Sequence, residues 1–181
     1  VGAARYLLQV DPDVQSVGGI NQNYSWGQDS WQNFRDSLQQ LKPEVEILSE
    51  QFPAYGAGEY SAEISSLLQD QPQYIHSSLW GSDLDGFIIQ ATPRGLFDQS
   101  TLILTVGEYA TPSLGEQIPE GTIIGSHGTH GTMAPDNEYN TWLNDIYQSR
   151  YDMRPTYPAY HMSQAMLGLK MAVEKAVEET G

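Results

Sequence analysis

Residues 74–97, YIHSSLWGSDLDGFIIQATPRGLF, decide how this chain folds. Tyr74 to Leu79 is a short strand-like run that ends in small residues and a tryptophan, Trp80. Ser82 then opens a helical pattern whose apolar side is Leu84, Phe87, Ile88 and Ala91. Strand, exposed aromatic turn and helix form the unit with which open α/β sheets present ligands at their strand ends.

The same cycle extends in both directions. Upstream, the pattern predicts a helix over 3–10 closed by Asp11-Pro12, a strand over 14–20, and a helix over 28–41. That helix carries Trp31, Phe34, Leu38 and Leu41 at three- and four-residue steps and is stopped by Lys42-Pro43. Val45 to Phe52 alternates apolar and polar residues as a partly exposed strand does. A loop with two glycines, Pro53 to Gly58, leads into a helix over 60–69 with Ile64, Leu67 and Leu68 on one face.

Downstream, a strand over 101–106, a loop or short helix over 108–117 and a strand over 121–125 continue the series. Helices over 137–151 and 159–179 follow a turn-rich passage and have no clear strand between them, with Pro155 and Pro158 marking the turn that separates them. The last carries Met162, Met166, Leu169, Val173 and Val177, an apolar stripe that needs a partner. Strands alternating with helices of ten to fifteen residues predict a mostly parallel sheet in an α/β, Rossmann-like three-layer fold.

Composition narrows the function. The 181 residues include 23 acidic and 8 basic side chains, for a net charge of −15, and 39% are hydrophobic. The acids are spread along the whole length, so the chain repels nucleic acid and anionic lipid rather than binding them through a tail. Such a surface also suits solubility in high salt. There is no cysteine, which removes disulfides, thiolate chemistry and Cys-ligated metal. No apolar run reaches the length of a membrane span. Gly18-Gly19 lacks the third glycine of a dinucleotide fingerprint, and neither a Walker lysine nor a serine-nucleophile elbow is present. No cofactor is expected.

Two groups of residues remain as candidates. His127 and His130, in GSHGTHG, are spaced to reach one ion with Asp136 or Glu138, but flanking glycines give them no rigid support, and two polar loop residues are the simpler reading. His76 lies inside a strand, as core histidines do. Aromatic residues beside strand ends carry more weight. Tyr24 and Trp26 follow the first strand, Trp80 and Gly81 the third, and Glu108 and Tyr109 the fourth. In a parallel sheet these three loops leave one edge, where Trp and Tyr make flat walls and Glu108 can accept from an ammonium or amide donor.

Several blocks resemble the periplasmic binding proteins of the branched-chain amino acid type, the solute receptors of ABC importers. They are INQNYSWGQDSWQNF at 20–34, VEILSEQFPAYGAGEYSAEISSLL at 45–68, SLWGSDLDGFIIQATPRGLF at 78–97, EGTIIGSH at 120–127 and YQSRYDMRPTYPAYHMSQAMLGLKMAVEKA at 147–176. The resemblance implies a type I fold with two lobes joined by crossing segments, of which this chain holds mostly the second and is a fragment. Residues 1–126 would be the ligand-binding lobe, and 127–181 a crossover with helices returning toward the first lobe. Ligand-facing aromatics would fall on Trp26, with Tyr24 competing, and on Trp80, and Glu108 would take a ligand ammonium.

The implied function is extracellular capture of a small polar solute, such as an amino acid, amide or small organic acid, for a membrane permease. The implied protein is periplasmic or on the cell surface, including as a lipoprotein, is monomeric when complete, and performs no chemistry. A sensing domain of the same fold and a metal-dependent hydrolase built on His127 and His130 are the rival expectations.

Overall fold

The computed structural model describes residues 1–126, 128 and 134–180. The chain divides into two compact units, Val1–Gly125 and Ser126–Gly181. In the first unit, helix α1 (Gly2–Val10), strand β1 (Ser16–Ile20), helix α2 (Ser25–Leu41), strand β2 (Glu46–Gln51) and helix α3 (Ser61–Asp70) come first. They are followed by β3 (Tyr74–Ser77), α4 (Ser82–Ala91), β4 (Thr101–Leu104), a one-turn α5 (Thr111–Leu114) and a two-residue β5 (Ile123–Ile124).

The five strands form one sheet in the order β2-β1-β3-β4-β5, and every pairing is parallel. Alternation of side chains across the pleat sends successive residues to opposite faces. Ile20, Ile75, Leu102 and Leu104 therefore pack with Ile64 and Leu67 of α3 and with Leu84, Phe87, Ile88 and Ala91 of α4. Val17 and Ile103 pack on the other side with Ala4 and Leu7 of α1 and with Trp31, Phe34 and Leu38 of α2. The helical faces read from the sequence bury in α2, α3 and α4, except that Leu41, in the last turn of α2, is exposed, and the result is the expected three-layer α/β arrangement.

Boundaries differ where tertiary contacts intervene. Helix α2 begins at Ser25 rather than 28, so Trp26 stands in its first turn and not in a loop. Strand β5 shrinks from the expected 121–125 because Gly121, at φ 81°, turns the chain before the strand begins. β2 pairs with β1 alone and forms the sheet edge, which accounts for its half-exposed alternation.

The second unit contains α6 (Glu138–Tyr151) and α7 (Tyr157–Thr180). The Asn137 side chain caps α6 by accepting the Asn140 N–H at 2.8 Å. Helix α7 starts two residues earlier than expected and takes Pro158 into its first turn, where a missing N–H leaves no helical bond unmade. The Tyr160 hydroxyl joins the two helices, donating to Asn140 Oδ1 at 2.8 Å and accepting from Asn144 Nδ2 at 3.0 Å. Met162, Met166, Leu169, Val173 and Val177 form the stripe foreseen from the sequence, and all are exposed.

Candidate functional site

Strand register sets the site. Ile20 stands opposite Gln51 on one side and Ser77 on the other, and Ser77 stands opposite Leu104. Four strands thus end level, and the loops that follow β1, β2, β3 and β4 leave from one line. The connection β1 to β2 steps one way along the sheet and the connection β2 to β3 returns past β1, so the winding reverses between β1 and β3. A crevice forms at such a reversal because the two flanking connections run to opposite faces.

Across that point the loops are tied together. The Asn21 side chain accepts the Ser78 N–H at 3.0 Å, and the Trp26 indole donates to the Ser78 carbonyl at 3.1 Å. Gly27 lets the helix start this close to the strand, since a Cβ there would stand 2.0 Å from the Gln22 carbonyl oxygen. Trp26 is therefore held by its polar end, half-buried, as a brace between the two loops.

Trp80 and Tyr24 do come together. The Trp80 indole donates to the Tyr24 hydroxyl at 2.9 Å, and Trp80 remains 39% exposed. Gly81 and Tyr109 also meet, the Gly81 N–H donating to the Tyr109 hydroxyl. Gly81 adopts φ 61° and ψ −144°, a conformation that strains any residue with a Cβ, and so sets the sharp exit from the Trp80 turn. Glu108 opens a single 3-10 turn, Glu108–Ala110, after β4, where it is half-buried beside Tyr109.

One wall residue escaped the sequence reading. Tyr55, on the loop after β2, lies with its ring 5.6 Å from Trp80 and 6.0 Å from Tyr24, the latter edge-on at 78°. It is 62% exposed. The strand-end rule that points to the other loops applies equally to the loop after β2, where Tyr55 itself is the signal.

Asp83 was missed as well. Only 3% exposed, its carboxylate accepts from the Tyr60 hydroxyl at 2.7 Å, Gln22 Nε2 at 2.6 Å and the Gly56 N–H at 2.9 Å. These three donors come from the loops after β1 and β2 and from the N-cap of α3, so one buried acid fixes the position of the Tyr55 turn. Burial, and then the hydrogen bond to Asp83, push the Tyr60 phenol well above its ordinary range.

His76 takes no part in this edge. It is 2% exposed, stacks on Phe34 at 4.5 Å, and its Nε2 lies 2.9 Å from the Thr105 hydroxyl. Burial pulls its pKa down to about 3, so the ring is neutral. His127 and His130 lie outside the described residues. Among the described residues no group of three or more His, Cys, Asp or Glu side chains is placed to hold a metal, and no helix is long and apolar enough to cross a membrane.

The sequence profile of the periplasmic binding protein family matches residues 1–181. The chain belongs to that family. Its fold is similar to an amino acid ABC transporter substrate-binding protein from Pseudomonas fluorescens Pf-5, at 20% identity and TM-score 0.68, covering 87% of this chain and 42% of that one. A solute-binding protein from R. palustris, solved with benzoate, aligns at 15% identity and TM-score 0.68, over 88% of this chain and 42% of that one. A leucine binding protein from Thermotoga maritima aligns at 16% identity and TM-score 0.67, over 88% and 47%. The chain thus spans less than half the length of these structures. Comparison with curated proteins gives no match.

Proposed function

We propose that this chain supplies a solute-binding lobe of a two-lobed periplasmic or cell-surface receptor that delivers its ligand to an ABC permease. The carrying observation is the level ending of β1, β3 and β4. It assembles Tyr24, Trp80, Gly81 and Tyr109 through two hydrogen bonds at the point where the winding reverses. Binding requires no chemistry at this edge: the aromatic side chains offer a wall, and Glu108 offers one charge-assisted contact for an ammonium. Residues 1–126 form the ligand-binding lobe in this reading, and 127–181 the crossover and returning helices. A second lobe closes over the solute, and the closed form is what the permease recognises.

The names of similar structures support a small solute and span both amino acids and benzoate. Isothermal calorimetry on the full-length protein with amino acids, amides and small organic acids tests the reading. Binding of an amino-bearing solute that weakens about tenfold or more in Glu108→Gln supports it. An unchanged affinity in that variant removes Glu108 from the site.

A further inference from the structure

We propose that Tyr55 is a ligand-binding residue, and that Tyr24, Tyr55 and Trp80 together form a bed for a ring-bearing amine, of the aromatic amino acid class. This inference rests on the receptor reading above and narrows its solute.

The indole N–H groups of the wall are already used within the protein. The Trp80 N–H is given to Tyr24, the Trp26 N–H to the Ser78 carbonyl, and the Tyr109 hydroxyl receives the Gly81 N–H. What the wall still presents is ring surface, chiefly that of Tyr55 at 62% and Trp80 at 39% exposure. Exposed aromatic rings this close to one another favour a flat partner, which stacks or meets them edge-on.

Charge completes the description. The segments 21–24, 52–60, 78–81 and 105–110 contain no Lys or Arg and two carboxylates, Glu59, which accepts the N–H and hydroxyl of Ser61, and Glu108. A ligand carboxylate, whether benzoate's or an amino acid's, finds no cation on these four loops, so the ammonium is what distinguishes the two ligands here. An ammonium finds carboxylate charge at this edge and the negative faces of the rings.

The bed is also built in advance. Gly56, next to Tyr55, is held by the buried Asp83 carboxylate, which is fixed in turn by Tyr60 and Gln22. Ordering Tyr55 therefore costs little when the ligand arrives, because its backbone is already placed. Asp83 acts as a positioning residue and touches no solute.

Calorimetry on the full-length protein with L-phenylalanine, L-leucine, benzoate and glycine betaine tests the assignment. Phenylalanine is expected to bind about tenfold or more tightly than each of the other three. Tyr55→Ala should bring phenylalanine and leucine to near parity, and Tyr55→Phe should keep the preference. Tighter binding of leucine, benzoate or betaine overturns the ring-bearing amine and leaves the receptor reading standing. A phenylalanine-to-leucine ratio unchanged in Tyr55→Ala overturns the role of Tyr55. Binding of none of the four, with none of the wider panel bound either, overturns the receptor reading and this assignment with it.

Discussion

The Asp83 carboxylate accepts the Gly56 N–H at 2.9 Å, tying the first turn of α4 to the loop after β2 across 27 positions of sequence. The same group takes the Tyr60 hydroxyl and the Gln22 amide, so one buried side chain holds three segments at the ligand edge.

Asp83→Ala strands the Tyr60 and Gln22 donors in a buried site and frees the Gly56 N–H at its exposed rim. Each unpaired buried group costs about 1–3 kcal/mol, partly relieved by rearrangement, so the expected loss of stability is about 3 kcal/mol in urea denaturation. Tyr60→Phe removes one bond only and should cost about 1 kcal/mol. Equal stability of Asp83→Ala and the parent would show that the acid does not organise these loops.

His76 makes stability depend on pH. Its folded pKa lies near 3, below the ordinary value of 6.5, so the unfolded chain binds the extra proton between those limits. The contribution is complete above about pH 6.5 and is lost progressively as pH falls toward 3. At pH 5 the loss from this group is about 2 kcal/mol. A His76→Phe variant should show a shallower fall in stability from pH 7.5 to 5 than the parent, with all carboxylates common to both. Parallel profiles would mean that His76 is not held neutral.

Gly27→Ala places a methyl group 2.0 Å from the Gln22 carbonyl oxygen, a backbone atom that cannot swing aside. Either α2 or the loop after β1 must shift, at a cost of about 1–3 kcal/mol. For a chain of this size that lowers the melting temperature by several degrees. An unshifted melting curve would contradict the close approach.

Trp26→Phe keeps the aromatic body and removes the N–H that reaches the Ser78 carbonyl. About 1 kcal/mol of stability should go with it, and amide exchange at residues 78–81 should quicken. Exchange rates that stay the same at those amides would show that the Trp26 brace does not restrain the β3 loop.

Local periodicity was enough to find the elements. Trp31, Phe34 and Leu38 on one side of α2, and Leu84, Phe87 and Ile88 on α4, are spaced for helical faces, and those faces bury. Alternating strands and helices implied a parallel sheet, which in turn put Tyr24, Trp80 and Tyr109 on one edge. These properties depend on neighbours within a few residues and on the handedness of the crossovers, so the chain itself carries them.

Strand order and register are different in kind, because they join residues far apart. The order β2-β1-β3-β4-β5 decides that Tyr55 stands beside Trp80, that Trp26 braces Ser78 instead of lining a loop, and that Asp83 meets Gly56 and Gln22. None of these contacts has a signature in residue spacing, since each is made by two side chains or loops whose proximity exists only after the sheet has closed around its core. The sequence alone determined which strand ends carry the aromatic residues, and only packing decided which of those rings face outward and which are consumed in holding the edge together.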